Sequence, residues 1–163
     1  KAHLILVVVA YEMEAKDSLM EIHNLIKKLN IKKNVHIIES VEYDDIYKYL
    51  SAADIGLNPI PDNLDYNITV KTYDYMACNL PFIVKGCEKG SMKDFLNRYR
   101  VGYYAESWEE FKEHVNFCIN NLNKSKLLGK IGRRIVLKDF DRENANGIAM
   151  NEIKKLVYKY KTA

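Results

Sequence analysis

Glycine is scarce in this chain: seven occur in 163 residues, and none falls between Leu57 and Lys85. Neither a G-x-G-x-x-G fingerprint nor a G-x-x-x-x-G-K-[ST] loop is present, which excludes the two common glycine-rich phosphate cradles. Cysteine is also sparse. Cys78, Cys87 and Cys118 are an odd number without a C-x-x-C pair, the pattern of free thiols in a reducing compartment. The four histidines, His3, His23, His36 and His114, stand far apart in sequence with no ligand-spaced pair, so no metal site is expected from them. Charge of one sign is not concentrated: the net charge is +3 and lysines alternate with acids, which argues against a nucleic-acid partner. No apolar run approaches the ~18 residues of a membrane span. The opening "LILVVVA" is too short to span and lacks a cleavage signal. A soluble cytoplasmic protein without a tightly bound cofactor is the expectation.

What is present is ordinary globular material, 48% hydrophobic and 29% charged, in a length suited to one domain. The reading is a single domain over 1–163, with 141–163 as a C-terminal helix. "HLILVVVAY" is β-branched and apolar on both faces, which predicts a strand buried between helix layers. "SLMEIHNLIKKL" places Leu19, Ile22, Leu25, Ile26 and Leu29 at helical spacing. "VHIIES", "DIGLNPI", "LPFIVK" and "VGYYA" read as four further strands. "DDIYKYLSAA", "VKTYDYMAC", "SMKDFLNRY", "SWEEFKEHVNFCINNL", "KSKLLGKIGRRIVLKDF" and "RENANGIAMNEIKKLVYKY" read as helices, the fourth opened by a Ser cap with acids in its first turn. Strands alternating with helices predict an α/β fold, a parallel sheet flanked by helices. Ligands of such sheets sit beyond the carboxyl ends of the strands. That directs attention to the loops "AYEME", "ESVEY", "NPIPDN" and "KGCEKG".

One helix start stands out. After "NPIPDNLDYNI", Thr69 is placed to cap a helix opened by Val70, Lys71 and Thr72. The unpaired N–H groups and positive dipole end of such a start suit an anion. Lys71 adds a full charge, and Asp74, one turn on, shares its face and is able to accept hydrogen bonds from a ribose diol. The bland alternative is an i, i+3 surface ion pair between Lys71 and Asp74, worth about 0.2–0.5 kcal/mol. Tyr73, Met76 and Ala77 read as core contacts. Asn79 is expected to end the helix in a left-handed conformation, which Asn tolerates.

The run "LSAADIGLNPIPDN" followed by "VKTYDYMACNLPFIV" resembles the C-terminal half of retaining glycosyltransferases of the GT-B fold, notably family 4. That family shows a helix plus "adv.l.Ps", then an acid within "EyMA.G.PVi". "LILVVVAYEME", "NVHIIESVEYDDIYKYLSAAD", "VGYYAESWEEFKEHVNFCINNL" and "GRRIVLKDFDRENA" resemble its other segments in order and spacing. The resemblance implies a Rossmann-like donor-binding domain and a nucleotide-diphosphate sugar as donor substrate. It implies a glycan or lipid-linked acceptor held by a preceding domain, and a place in carbohydrate biosynthesis, with the full-length protein cytoplasmic or peripheral to a membrane. In that family the second acid of an E-x7-E pair binds the nucleotide ribose, and Asp74 stands at its place. The first acid, which touches the donor sugar, falls on Tyr66, with Asp65 adjacent but off register. Lys71 matches a variant with a lysine three residues before the second acid and is the candidate catalytic cation. Backbone amides around Thr69 and Val70 stand where relatives meet the diphosphate. Loops at Glu39–Val41 and Tyr11–Glu12 stand where nucleobase and donor are approached. The usual Gly before "PV" is replaced by Asn79–Leu80.

The resemblance also implies an acceptor domain, and a strand and helix with a cationic diphosphate contact, ahead of His3. Without that strand, exposed sheet edges imply self-association. Two other readings stand beside it: a catalytically inactive GT-B-like module that binds a partner, and, with fewer matching features, a sugar-nucleotide epimerase of the same architecture.

Overall fold

The computed structural model describes residues 1–8, 13–39, 41–64 and 67–161. The chain divides into two compact units, Lys1–Ala52 and Ala53–Ala163.

The first unit holds two parallel strands. These are β1 (Leu4–Val8) and β2 (Val35–Glu39), joined through helix α1 (Met13–Lys28) and followed by helix α2 (Ile46–Ala52). Their register runs from Leu4 against Val35 to Val8 against Glu39. Helix α1 closes with Asn30 left-handed at φ 56°. Ile31 N–H donates back to the Ile26 carbonyl and Asn30 N–H to that of Lys27, the two bonds of a Schellman stop. The apolar run of β1 predicts burial on both faces. Instead Leu4 and Ile5 are 38% and 40% exposed. Among the described residues their sheet has two strands, each an edge, so there is no central position to bury them.

The second unit carries the principal core. Strands β3 (Gly56–Pro59), β4 (Phe82–Lys85) and β5 (Gly102–Ala105) pair in parallel in that order. Helices α3 (Val70–Ala77) and α4 (Ser91–Tyr99) are the crossovers. Central β4 is buried along its whole length, Phe82, Ile83 and Val84 completely, as its unbroken apolar run requires. Helices α5 (Trp108–Asn120), α6 (Leu122–Asp139) and α7 (Arg142–Lys161) complete the chain. Ser107 caps α5 by accepting from Glu110 N–H at 3.1 Å, as its sequence position predicts. Among the described residues, five strands alternate with helices and all pairs are parallel, the α/β architecture expected of the sequence.

Helix α6 lies against α3 at a distance set by two glycines. A Cβ on Gly129 would stand 1.9 Å from the Asn79 carbonyl oxygen, and one on Gly132 would stand 3.1 Å from Met76 Cγ. Arg133, one residue on, donates to the Ala77 carbonyl at the end of α3. An aromatic cluster of Tyr73, Phe95, Tyr99 and Phe140 joins α3, α4 and the segment after α6, with ring centroids 4.8–6.2 Å apart.

Candidate functional site

Because the three strands of the second unit are parallel, their carboxyl ends share one edge. Past the strand ends the ladder continues for one more step, with Ile60 N–H donating to Lys85 O at 2.8 Å and Gly86 N–H to Ala105 O at 3.1 Å. The first turns of α3 and α4 meet at this edge, where Thr72 Oγ1 donates to Met92 Sδ at 3.6 Å.

Thr69 occupies the cap position of α3 with extended backbone (φ −71°, ψ 147°), and its carbonyl accepts from Thr72 N–H at 3.0 Å. Its hydroxyl does not cap. Buried Asn58, on β3, donates Nδ2–H to Thr69 Oγ1 at 2.7 Å, and Thr69 Oγ1 lies 3.0 Å from Thr72 Oγ1. One consistent direction runs through the chain of donors: Asn58 to Thr69, Thr69 to Thr72, Thr72 to Met92. This network ties the helix start to the end of β3. It also leaves the N–H groups of Val70 and Lys71 without an intrahelical acceptor, as in any first turn. Val70 and Lys71 are both exposed.

The surface-pair reading of Lys71 and Asp74 fails. Among the described residues no ion pair joins them, and Asp74 has no hydrogen-bond donor. Asp74 is half-buried, and burial alone raises its carboxyl above the ordinary value. A carboxylate held partly out of water with no partner of its own is an open acceptor. Its neighbour Tyr75 is buried, donates to Leu57 O at 2.9 Å, and has its hydroxyl pushed up to about 12, first by burial and then by the Asp74 charge. Helix α3 ends as its sequence predicts: Asn79 is left-handed at φ 56°, Leu80 N–H donates to Tyr75 O and Asn79 N–H to Met76 O. Tyr75 and Met76 are core, while Tyr73 and Ala77 are half-buried.

Asp65, Tyr66, Tyr11 and Glu12 lie outside the described residues. Of the Glu39–Val41 loop, Glu39 ends β2 and Val41 is buried, with Ser40 outside the described residues. One residue was missed by sequence reasoning. Lys85, at the carboxyl end of fully buried β4, is itself buried, with its Nζ 5.7 Å from the centre of the Trp108 ring. The signal was available: a lysine closing the apolar run "LPFIV" ends a core strand at the carboxyl edge of the sheet. Among the described residues no cluster of three or more metal-ligating side chains occurs, and no helix is long and apolar enough to cross a membrane.

This parallel architecture is the C-terminal half of the GT-B glycosyltransferase fold. The structure resembles sucrose-phosphate synthase from Thermosynechococcus elongatus with a TM-score of 0.75 at 18% identity, covering 97% of this chain and 39% of that one. It resembles HepE from Anabaena in complex with UDP with a TM-score of 0.76, and the same protein with UDP-glucose with 0.74, each at 18% identity over 94% of this chain. The chain spans about two fifths of the length of these structures. The sequence pattern of the glycosyl transferase-like family matches residues 17–145, and the chain belongs to that family. No match among curated proteins is found by sequence.

Proposed function

We propose that this chain is the donor-binding domain of a retaining, family 4-like glycosyltransferase that takes a nucleotide-diphosphate sugar. The observation that carries the proposal is the half-buried, unpartnered carboxylate of Asp74 one turn into a helix whose first amides open at the carboxyl edge of the sheet. Asp74 accepts from the ribose diol. The amides of Val70 and Lys71, with the positive end of α3, meet the diphosphate. Lys71, exposed and without an ion pair among the described residues, neutralises charge on the departing diphosphate, the electrostatic role that dominates such transfers. Complexes of HepE with UDP and UDP-glucose support a uridine nucleotide as the first donor to try. The sugar passes to a glycan or lipid-linked acceptor held by a further domain.

Calorimetry with UDP-glucose on the full-length protein tests the ribose contact. Asp74→Ala is expected to weaken binding by about 1–3 kcal/mol, the cost of a lost charged hydrogen bond. Lys71→Ala is expected to lower turnover more than affinity, because its charge is needed most as the diphosphate leaves. Wild-type affinity in Asp74→Ala would dismiss the ribose role. A protein that turns over no donor yet binds a protein partner stably would instead be a non-catalytic module.

A further inference from the structure

Asn58 places a carboxamide near the end of β3, where an apolar side chain would serve packing as well. It is 2% exposed and stands in register with fully buried Val84. A buried amide costs free energy that its hydrogen bonds at best recover, so packing alone does not call for it. Its Nδ2–H goes to Thr69 Oγ1 at 2.7 Å, from the strand to the start of α3. Thr72 Oγ1 gives its single proton to Met92 Sδ at 3.6 Å. The 3.0 Å contact between the two threonines therefore uses the proton of Thr69. The Thr69 hydroxyl is engaged in both directions, accepting from Asn58 and donating to Thr72.

A threonine hydroxyl at a helix cap ordinarily does something else. It accepts from the N–H two or three residues on and closes its own helix. Thr72 N–H is already taken by the Thr69 carbonyl at 3.0 Å, so the amide at stake is that of Lys71. No side-chain cap forms at Thr69, and among the described residues neither Val70 N–H nor Lys71 N–H meets an acceptor. We infer that Asn58 is a positioning residue: by holding the Thr69 hydroxyl toward β3 it withholds the cap of α3 and keeps the Lys71 amide open to the diphosphate of the donor. This role rests on the donor reading above and says what prepares that helix start. An amide bonded to a capping hydroxyl serves an anion only after that bond breaks, whereas an open amide needs no such step. Helix stability is given up so that the donor N–H stays available, which is preorganisation. Asn58 itself does not touch the ligand; it acts through Thr69.

The test compares wild type, Asn58→Leu and the double variant Asn58→Leu/Thr69→Val in the full-length protein. Two quantities are read: amide hydrogen exchange at Lys71 by NMR without ligand, and UDP affinity by calorimetry. Leu keeps the branched shape of Asn but has no donor, so the Thr69 hydroxyl is released to its own helix. In Asn58→Leu, Lys71 exchange is expected to slow about fivefold and UDP to bind about fivefold more weakly, the equilibrium weight of one cap. Adding Thr69→Val removes the hydroxyl and is expected to return both quantities toward wild type. A packing role alone gives no such rescue, because two packing defects would add. Asn58→Ala, which lacks the donor without filling its space, is expected to behave as Asn58→Leu does and replaces it should Leu prevent folding. Unchanged Lys71 exchange in a folded Asn58 variant would overturn the assignment. So would a double variant that binds UDP no better than the single one. Lys71 exchange that follows the expected pattern in a wild-type protein that binds no UDP would support the withheld cap and overturn the donor reading instead.

Discussion

A single methyl group, added at three glycines in turn, gives three different outcomes in the second unit. Gly129 and Gly132 lie in α6 and Gly147 in α7, so each Gly→Ala change gains about 1 kcal/mol of helix propensity. What the new Cβ meets decides the sign. At Gly147 nothing lies within 4 Å, so the gain stands nearly whole, about 0.5–1 kcal/mol. At Gly132 the Cβ would lie 3.1 Å from Met76 Cγ, a flexible side chain that yields by a few tenths of an ångström, so gain and crowding nearly cancel. At Gly129 it would lie 1.9 Å from the Asn79 carbonyl oxygen and 2.6 Å from the Asn79 carbonyl carbon. These are backbone atoms of a left-handed helix stop and have no rotamer to escape into. Helix α6 would have to retreat by roughly 1 Å, and the upper range of overpacking costs, about 3 kcal/mol, applies. The net loss is about 2 kcal/mol, or roughly 4–8 °C in melting temperature for a chain of this size. Urea and thermal melts followed by the fluorescence of Trp108, the only tryptophan, report on the unit that holds all three glycines. The expected order of stability is Gly147→Ala above wild type, Gly132→Ala near it, and Gly129→Ala well below. A Gly129→Ala protein as stable as wild type would show that the close approach of α6 to α3 is not what the packing requires.

Two further outcomes concern ionisation. Burial raises the Asp74 carboxyl, so its stabilising contribution is complete below the unfolded carboxylate range and is lost as pH rises through the raised folded value. Asp74→Asn should therefore be more stable than wild type at pH 7 and equal to it near pH 3 in denaturant titrations, while losing donor affinity. A stability gain that persists at low pH would contradict the desolvation account. Tyr75 follows the same rule at the other end of the scale. Its hydroxyl is pushed up to about 12, so stability present below pH ~10 is lost as pH climbs towards 12. Tyr75→Phe should cost about 1 kcal/mol at neutral pH through the lost bond to Leu57 O, yet show a shallower alkaline decline.

Much of the fold was legible in sequence because local signals agreed with one another. The Ser107 cap, the left-handed Asn79 and the apolar runs of β3, β4 and β5 each follow from the residues themselves. What escaped was set by distant partners. The burial expected of β1 depends on how many strands flank it, and a two-stranded sheet leaves Leu4 and Ile5 exposed. The glycine seam of α6 is invisible until the Asn79 turn lies across it. His3 and His36 are 33 residues apart, and only the strand register makes them neighbours. At the candidate site, position after a strand exit and the start of the helix at Thr69 were readable. The engagement of the Thr69 hydroxyl with Asn58 was not, nor was the failure of Lys71 and Asp74 to pair.

Arg133 gives the α3 helix start a property that its own eight residues do not supply. A helix this short is about 12 Å long, so the negative pole stands close enough behind the positive one to subtract from its attraction for an anion. With a guanidinium donating to the Ala77 carbonyl, the negative end is neutralised where it emerges. What remains, seen from the carboxyl edge of the sheet, is no longer a dipole with two competing poles. It is a single positive centre, whose field falls off more slowly with distance and reaches further toward an approaching anion.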